Sequence, residues 1–505
     1  MSSILYPEGA FSEITSNRSV RGANFAQGSM DYTWSIGAPN VFIPAESYFV
    51  VDMTLNVEGR QPTMADEIAF ANDPASCLFD NAYMRLSGQS VSSVVNFLPQ
   101  TAIIRKRLLS PQGWLKTMGK SSMGLESSFV ERQKTIAYDA NTDYSTSELL
   151  SLSTGGQATI AVTAATGAVV GVNTDFTILD VGRSYFIVEG LKLIVSAVTN
   201  ATNCTVLIVN DLTTRGDIAT TANFEAYLPP VDDKSRGNNR VFVLFQPPIG
   251  FFEHSAPMGA GDYRISLNPA TDYKKAAVET ISALTVGAGA SQFDLTVNDI
   301  KFYVASYKAV PSNIPMQLNE IQVQSKTLSG GTEQFQFTVP LSAVGIGFFI
   351  QANGAGNDTR YPPTKFKTSN DEQDTLTSYQ ITYANTTKPQ TRWGGDLDET
   401  GVYPATIKRL TLQQRYHDTF ASSGTGRDPA GCETMQGWLE NGQVVYHNFN
   451  RDDKNNSTQV QFSITTSQTG GFTEPTKLYL FANYTTKIDV VTENGLIVQV
   501  STLTI

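Results

Sequence analysis

Tyr48-Phe-Val-Val-Asp-Met-Thr-Leu-Asn-Val57 alternates with a period of two: Phe49, Val51, Met53, Leu55 and Val57 fall on one face of an extended chain, and Asp52, Thr54 and Asn56 on the other. A strand with one apolar and one polar face belongs to a sheet that covers a core on one side. The pattern returns at Phe293/Leu295/Val297, Phe335/Phe337/Val339, Tyr379/Ile381/Tyr383, Val460/Phe462/Ile464 and Leu478/Leu480/Ala482, each run bounded by Gly, Asn, Asp, Ser or Pro. Stacked antiparallel sheets are therefore predicted through most of the chain. At Asn298-Asp299 the apolar set slips from odd to even positions and continues as Ile300, Phe302 and Val304, which predicts a bulge or tight turn there.

The chain has 505 residues, too many for one ordinary core, so two or three units are expected. The composition is 41% hydrophobic and only 16% charged, with 39 Gly, 22 Pro, 20 Tyr and 27 Phe, a mixture of strand and turn formers that fits an all-β protein. A net charge of -11 speaks against a surface that coats phosphate backbones. Three widely spaced cysteines, Cys77, Cys204 and Cys432, fit reduced thiols rather than a disulfide framework. Met1 to Ser29 lacks the basic start and apolar run of a secretory signal, and no stretch approaches the ~20 apolar residues of a membrane span.

Helices are few. Asn96 to Leu109 carries Phe97, Ile104 and Leu108 on one stripe beside the basic run Arg105-Lys106-Arg107, and stops before Pro111. A second helix is punctuated by Asp428 as N-cap, Pro429 at its first position and Gly442 past its end, with Met435, Trp438 and Leu439 on one face. The Pro-punctuated segment Val310-Pro-Ser-Asn-Ile-Pro315 reads as a seam. Residues 1–310 then form one sandwich, 311–317 a linker and 318–505 a second sandwich. From Gly155 to Pro229 the sequence turns rich in Ala, Thr, Val and Gly, with strand signals at Tyr185–Val188, Leu191–Val198 and Thr205–Val209; this predicts an inserted small β module, with strands enough for a small barrel of its own.

The run Phe245-Gln-Pro-Pro-Ile-Gly-Phe-Phe252, followed by Met258-Gly-Ala-Gly-Asp-Tyr-Arg-Ile-Ser-Leu-Asn-Pro269, resembles a run in double jelly-roll major capsid proteins of the virophage, polinton-like and adenovirus-like lineage. Cys77-Leu-Phe-Asp-Asn-Ala-Tyr-Met-Arg-Leu-Ser-Gly88 and Leu478-Tyr-Leu-Phe-Ala-Asn-Tyr484 are similar to further parts of that pattern. The resemblance implies two consecutive eight-stranded jelly-roll β-sandwiches with short helices in loops, residues 155–229 standing as an outer tower. It further implies homotrimeric, pseudo-hexagonal capsomers of an icosahedral shell. The partners would be other copies of the chain, a vertex penton protein and minor capsid proteins; the place would be the virion. Sequence-specific nucleic-acid binding is not expected, and contact with an internal membrane stays open.

The search for chemistry returns little. Gly113-Trp-Leu-Lys-Thr-Met-Gly-Lys-Ser121 has five residues between its glycines where a P-loop has four, and follows a helix where a strand is needed. His254, His417 and His447 sit in no zinc-ligand spacing. Asp396, Asp398 and Glu399 could offer oxygen ligands to calcium, but lack EF-hand spacing; a solvated acidic turn is the plainer reading. Arg105-Lys106-Arg107 could meet an anionic surface, or serve as a solvated or interface-pairing helix face. No catalytic, cofactor-binding or metal-binding residue is predicted and no enzymatic activity expected. Two alternatives are a double-sandwich carbohydrate-active enzyme, whose carboxylate pair would be set by fold rather than spacing, and a viral receptor-binding or fibre protein.

Overall fold

The computed structural model describes residues 10–57, 59, 61–62, 66, 68–110, 112–120, 124, 129–136, 148–179, 181, 184–189, 191–207, 216–228, 238–279, 293–311, 315–341, 343–352, 363–364, 376–389, 413–420, 438, 444–449, 458–466 and 475–504. In the first part of the chain the strands are β1 (Ala10–Thr15), β2 (Met30–Ile36), β3 (Asn40–Phe42), β4 (Tyr48–Val57), β5 (Ile68–Phe70), β6 (Phe79–Leu86) and β7 (Gln89–Val94). After the helix α1 (Leu98–Leu109) come β8 (Glu148–Leu150), β9 (Thr159–Thr163), β10 (Ala168–Val172), β11 (Tyr185–Val188), β12 (Leu191–Asn200), β13 (Asn203–Val206), β14 (Ile218–Ala222) and β15 (Phe224–Leu228). Then follow β16 (Arg240–Phe245), β17 (Gly261–Pro269), β18 (Ala277–Glu279) and β19 (Phe293–Lys308). The last set is β20 (Met316–Leu328), β21 (Thr332–Thr338), β22 (Ala343–Ala352), β23 (Leu376–Tyr383), β24 (Thr386–Lys388), β25 (Val445–Asn448), β26 (Gln459–Thr466), β27 (Thr476–Glu493) and β28 (Leu496–Thr504).

Strand order decides the architecture. One sheet runs β1-β19-β4-β16 and the sheet facing it β2-β17-β6-β7; later in the chain the pair is β20-β27-β22-β25 and β21-β26-β23-β24. Counting the eight sandwich strands of each part in chain order, both read 1-8-3-6 over 2-7-4-5, the jelly-roll winding. The protein is all-β, with two successive jelly rolls. Short β5 and β18 pair apart from these sheets, β3 joins the far end of β19, and β28 extends the second sandwich as a hairpin on β27.

The alternating faces become the cores. Phe49, Val51, Met53, Leu55 and Val57 all lie in the first cluster, packed between its two sheets. The slip at Asn298 is a bulge: β19 pairs with β4 through Val297, shifts, and resumes at Asp299, so both halves keep their apolar side inward. β19 runs unbroken through the bulge from Phe293 to Lys308. Tyr379, Ile381, Val460, Phe462, Ile464, Leu478 and Leu480 fill a separate second core. The first core also takes Met316, Leu318 and Ile488 from β20 and β27, so the sandwiches are packed together rather than strung on a tether.

β8 to β15 form one eight-stranded antiparallel sheet, in the order β14-β9-β10-β13-β12-β11-β15-β8, around a core drawn entirely from residues 152–226. β14 and β8 stand at its two ends and are not paired with each other, so among the described residues this is a coiled open sheet and not a closed barrel. β8 spans only three residues, too little to seal the edge.

Candidate functional site at the junction of the two sandwiches

Buried charge and aromatic packing come together where α1, which follows β7 of the first sandwich, covers the outer face of the second. Asn96 and Phe97 both adopt left-handed backbone (φ 55° and 58°), turning the chain sharply out of β7 into the helix, and Asn81 Oδ1 accepts the Asn96 amide at 2.6 Å. Ten of the twelve residues of α1 are buried, the mark of a helix with protein on several sides. Leu98 belongs to the first core. Ile103, Ile104 and Leu108, with Leu115 beyond, pack on Ile321, Phe349, Val444, Tyr446, Tyr479 and Phe481.

Glycine shapes the face that receives the helix. Gly345 and Gly347 of β22 lie beside Tyr446 and Phe481, whose rings stack at 6.0 Å and 6°. A Cβ on Gly345 would sit 1.8 Å from the Tyr446 hydroxyl oxygen, and one on Gly347 would be 2.2 Å from Phe481 Cζ and 2.5 Å from the Val445 carbonyl. The rings lie flat in the space two missing side chains leave, and the helix closes over them.

Under this apolar contact runs a buried polar network. Arg105 pairs with Glu253 and with Glu320 Oε2 at 3.4 Å, and donates to the Asn319 carbonyl. Glu320 also accepts from the Ser92 hydroxyl and from the Gly250 amide at 3.2 Å. Gly250 approaches so closely that an added Cβ would stand 2.7 Å from the Asn319 carbonyl. Burial pushes the Glu320 carboxyl above its ordinary range, opposed by Arg105, the Ser92 hydroxyl and the Gly250 amide. Such a network adds little net stability but fixes one arrangement, because breaking it strands a charge. Beside it Lys106 pairs with fully buried Asp73, which also accepts from Ser76 Oγ at 2.5 Å. Cys77 Sγ of the first sandwich meets Thr364 Oγ1 of the second at 3.7 Å. At the chain's end the Ala260 amide donates to the Gly495 carbonyl and the Ile497 amide to the Ala260 carbonyl, both at 2.8 Å.

The residues singled out by sequence distribute as follows. Arg105, Lys106 and Arg107 are turned inward: Arg105 and Arg107 are buried and Arg105 and Lys106 are ion-paired within the chain, so of the readings offered for this run interface pairing is the one realised. Residues 112–120 are helical, including a π turn at Leu115–Gly119, and make no phosphate loop. His447 is a core residue whose Nε2 meets the Tyr379 hydroxyl at 2.9 Å, and burial lowers its pKa to about 4. His417 is exposed beside Asp418. Cys77 and Cys204 are free and buried, burial pushing the Cys204 thiol up to about 12. Cys432, the acidic turn 394–401 and the helix 428–442 lie outside the described residues, save Trp438, which is buried and donates from Nε1 to the Val444 carbonyl at 2.9 Å. Among the described residues no cluster of His, Cys, Asp or Glu could hold a metal ion, and no helix is long and apolar enough to cross a membrane.

Sequence reasoning passes over Glu320, Glu253, the β22 glycines and a helix at 413–420. One signal was available: Glu320 continues the apolar series Met316, Leu318, and a charge on an apolar stripe announces a buried partner.

No family model matches the sequence, and no curated protein does. Among solved structures the chain is similar to the mavirus major capsid protein, at 12% identity and TM-score 0.49, covering 100% of this chain and 92% of that one. A structure of the Sputnik virophage follows at 10% identity and TM-score 0.47, covering 99% and 89%. The Faustovirus major capsid protein also matches at 10% and 0.47, covering 96% and 91%. The fold assignment itself stands on the strand order of this chain.

Proposed function

We propose that this chain is a major capsid protein: a structural building block, without catalysis of its own, that assembles as a homotrimer into a pseudo-hexagonal tile of an icosahedral shell in the virion. One observation carries the reading. The same eight-strand winding occurs twice in one chain, and the two copies are locked side by side by α1 and the Arg105–Glu320 network. Two equal pillars held at a fixed angle become six when a three-fold axis repeats them, and six pillars make a plate that tiles a flat facet. The units would be residues 1–310 and 318–505, joined at 311–317. Residues 155–229 then form an outward decoration, a role supported by the module's self-contained core. A vertex protein and minor capsid proteins would complete the shell.

The test is to express the full chain, measure its mass by sedimentation equilibrium and image it by negative stain. A mass of three chains and six-sided plates or closed shells are expected. A stable monomer with no assembled particles would remove the proposal.

A further inference from the structure

The second sandwich carries one strand beyond its eight, and that strand has an open edge. β28 turns back on β27 through Asn494-Gly495, both in left-handed backbone (φ 54° and 80°), and lies on the first sandwich, where Ile497 and Val500 pack against the core. It is held at both ends. Near the turn, Ala260 bonds to Gly495 and Ile497 through its amide and its carbonyl, each at 2.8 Å, and Gly259 lies so close that an added Cβ would stand 3.0 Å from the Gly495 carbonyl oxygen. Farther along, Thr502 Oγ1 donates to the Ser90 carbonyl at 3.4 Å. Between these anchors Val498 bulges from the ladder, and from Gln499 to Thr504 the strand pairs with β27 on one side and with no other strand among those described.

The composition of this edge sets it apart. Leu496-Ile-Val-Gln-Val-Ser-Thr-Leu-Thr-Ile505 contains no charge, proline or glycine. Six of the eight strands that end the four sandwich sheets hold a charged residue, namely Glu13, Asp31, Arg240, Lys326, Glu333 and Lys388. Charge on an end strand guards it against the addition of a further strand. β28 lacks that guard and shows apolar side chains to solvent: Leu496 is 50% exposed and Val498 53%, with Val491 of β27 at 46%.

We infer that the open edge of β28 receives the same edge of a second copy of this chain, the two strands running antiparallel about a two-fold axis at Ser501. Continuous sheet then crosses from one copy to the other. The inference deepens the capsid reading and rests on it, because a two-fold contact has no place within a tile of three-fold symmetry and joins one tile to the next. A second copy fits this edge for three reasons. An uncharged edge set against itself meets no like charge, and each strand offers the other the backbone donors and acceptors it lacks. The edge from Val498 to Thr504 runs only about 23 Å and buries far less than the ~800 Å² per partner of a stable pair. Such a contact is weak between two free chains and becomes effective when many act together across a facet. A strand already fixed at both ends also gives up little freedom on pairing.

The experiment compares full-length wild type, Val498→Lys and Ser501→Cys by sedimentation velocity and negative stain, with circular dichroism to check the fold. Val498→Lys puts a cation on the open edge. It is expected to keep folded trimers and to raise the concentration at which they join into larger particles by about tenfold or more. Ser501→Cys, oxidised after assembly, is expected to give disulfide-linked pairs of chains that wild type does not give, and none when its trimers are kept apart by dilution. Absence of that disulfide overturns the inference and leaves the capsid reading standing, whether or not Val498→Lys folds. A folded Val498→Lys chain that assembles at the wild-type concentration does the same. A disulfide formed inside isolated trimers, or a Val498→Lys chain that is folded but monomeric, puts the edge within the tile and also overturns the inference. A wild-type monomer overturns both readings.

Discussion

The first and second sandwiches share one winding, yet differ at their third strands. β4 turns Val50 and Asp52 outward, where Arg240 pairs with Asp52; β22 turns Gly345 and Gly347 to the same side, and aromatic rings and a helix close over them. A duplicated fold thus acquires direction through a few side chains. Where outward residues are small, a helix can lie down. Where they are ordinary, an ion pair lies there instead. Buried and exposed charge differ likewise: Arg105 lies deep in the junction against Glu320, whereas Arg240 pairs with Asp52 at a site where its own side chain is 56% exposed.

That contrast gives the largest expected effect. Arg105→Ala leaves Glu320 buried without its cation and should destabilise the protein by about 3–5 kcal/mol, read from urea unfolding. Arg240→Ala breaks a pair whose cation is exposed and leaves Asp52 its hydrogen bond from Asn298, so it should cost less, about 1 kcal/mol. Equal losses would erase the distinction between the two faces. Next, Gly347→Ala forces Phe481 and the β25 backbone aside and should cost about 1–3 kcal/mol or more, while Val50→Ala on the open face should stay within about 1 kcal/mol.

Acid should part the two sandwiches as well. His447 has a folded pKa of about 4 against an ordinary 6.5. A lowered histidine contributes stability that is complete above pH 6.5 and is lost as pH falls from there through about 4, on the order of 3 kcal/mol in all. In the first sandwich burial of Asp31 is outweighed by hydrogen bonds from Ser266 and Arg264, and burial of Asp52 by those from Arg240 and Asn298. Both carboxyls are held below their usual range, so their contribution persists to lower pH. His254 shifts in the same direction as His447 but is only half-buried. Near-ultraviolet dichroism should show the second sandwich loosening first between pH 6.5 and 4, and His447→Gln should flatten that window. Smallest of all, replacing residues 148–228 by a short linker should leave the unfolding of both sandwiches nearly unchanged, because the module's core borrows nothing from theirs.

The fold was largely legible, since sheet alternation is local: Phe49 to Val57 announces its face, and the odd-to-even slip at Asn298 marks a bulge that the pairing shows. The junction was not. Arg105-Lys106-Arg107 reads as a solvated or an interface-pairing helix face, and its partners stay hidden because a sequence does not reveal that Glu253, Glu320 and Asp73, up to 215 positions away, converge on it. Gly345 and Gly347 look like ordinary strand interruptions until Tyr446 and Phe481 come to rest on them.

A three-dimensional reconstruction of the purified oligomer by electron cryo-microscopy bears most directly on the central claim. The account predicts a three-fold particle of six upright sandwiches, alternating first and second. A particle whose sandwiches do not form a closed ring of six would contradict it.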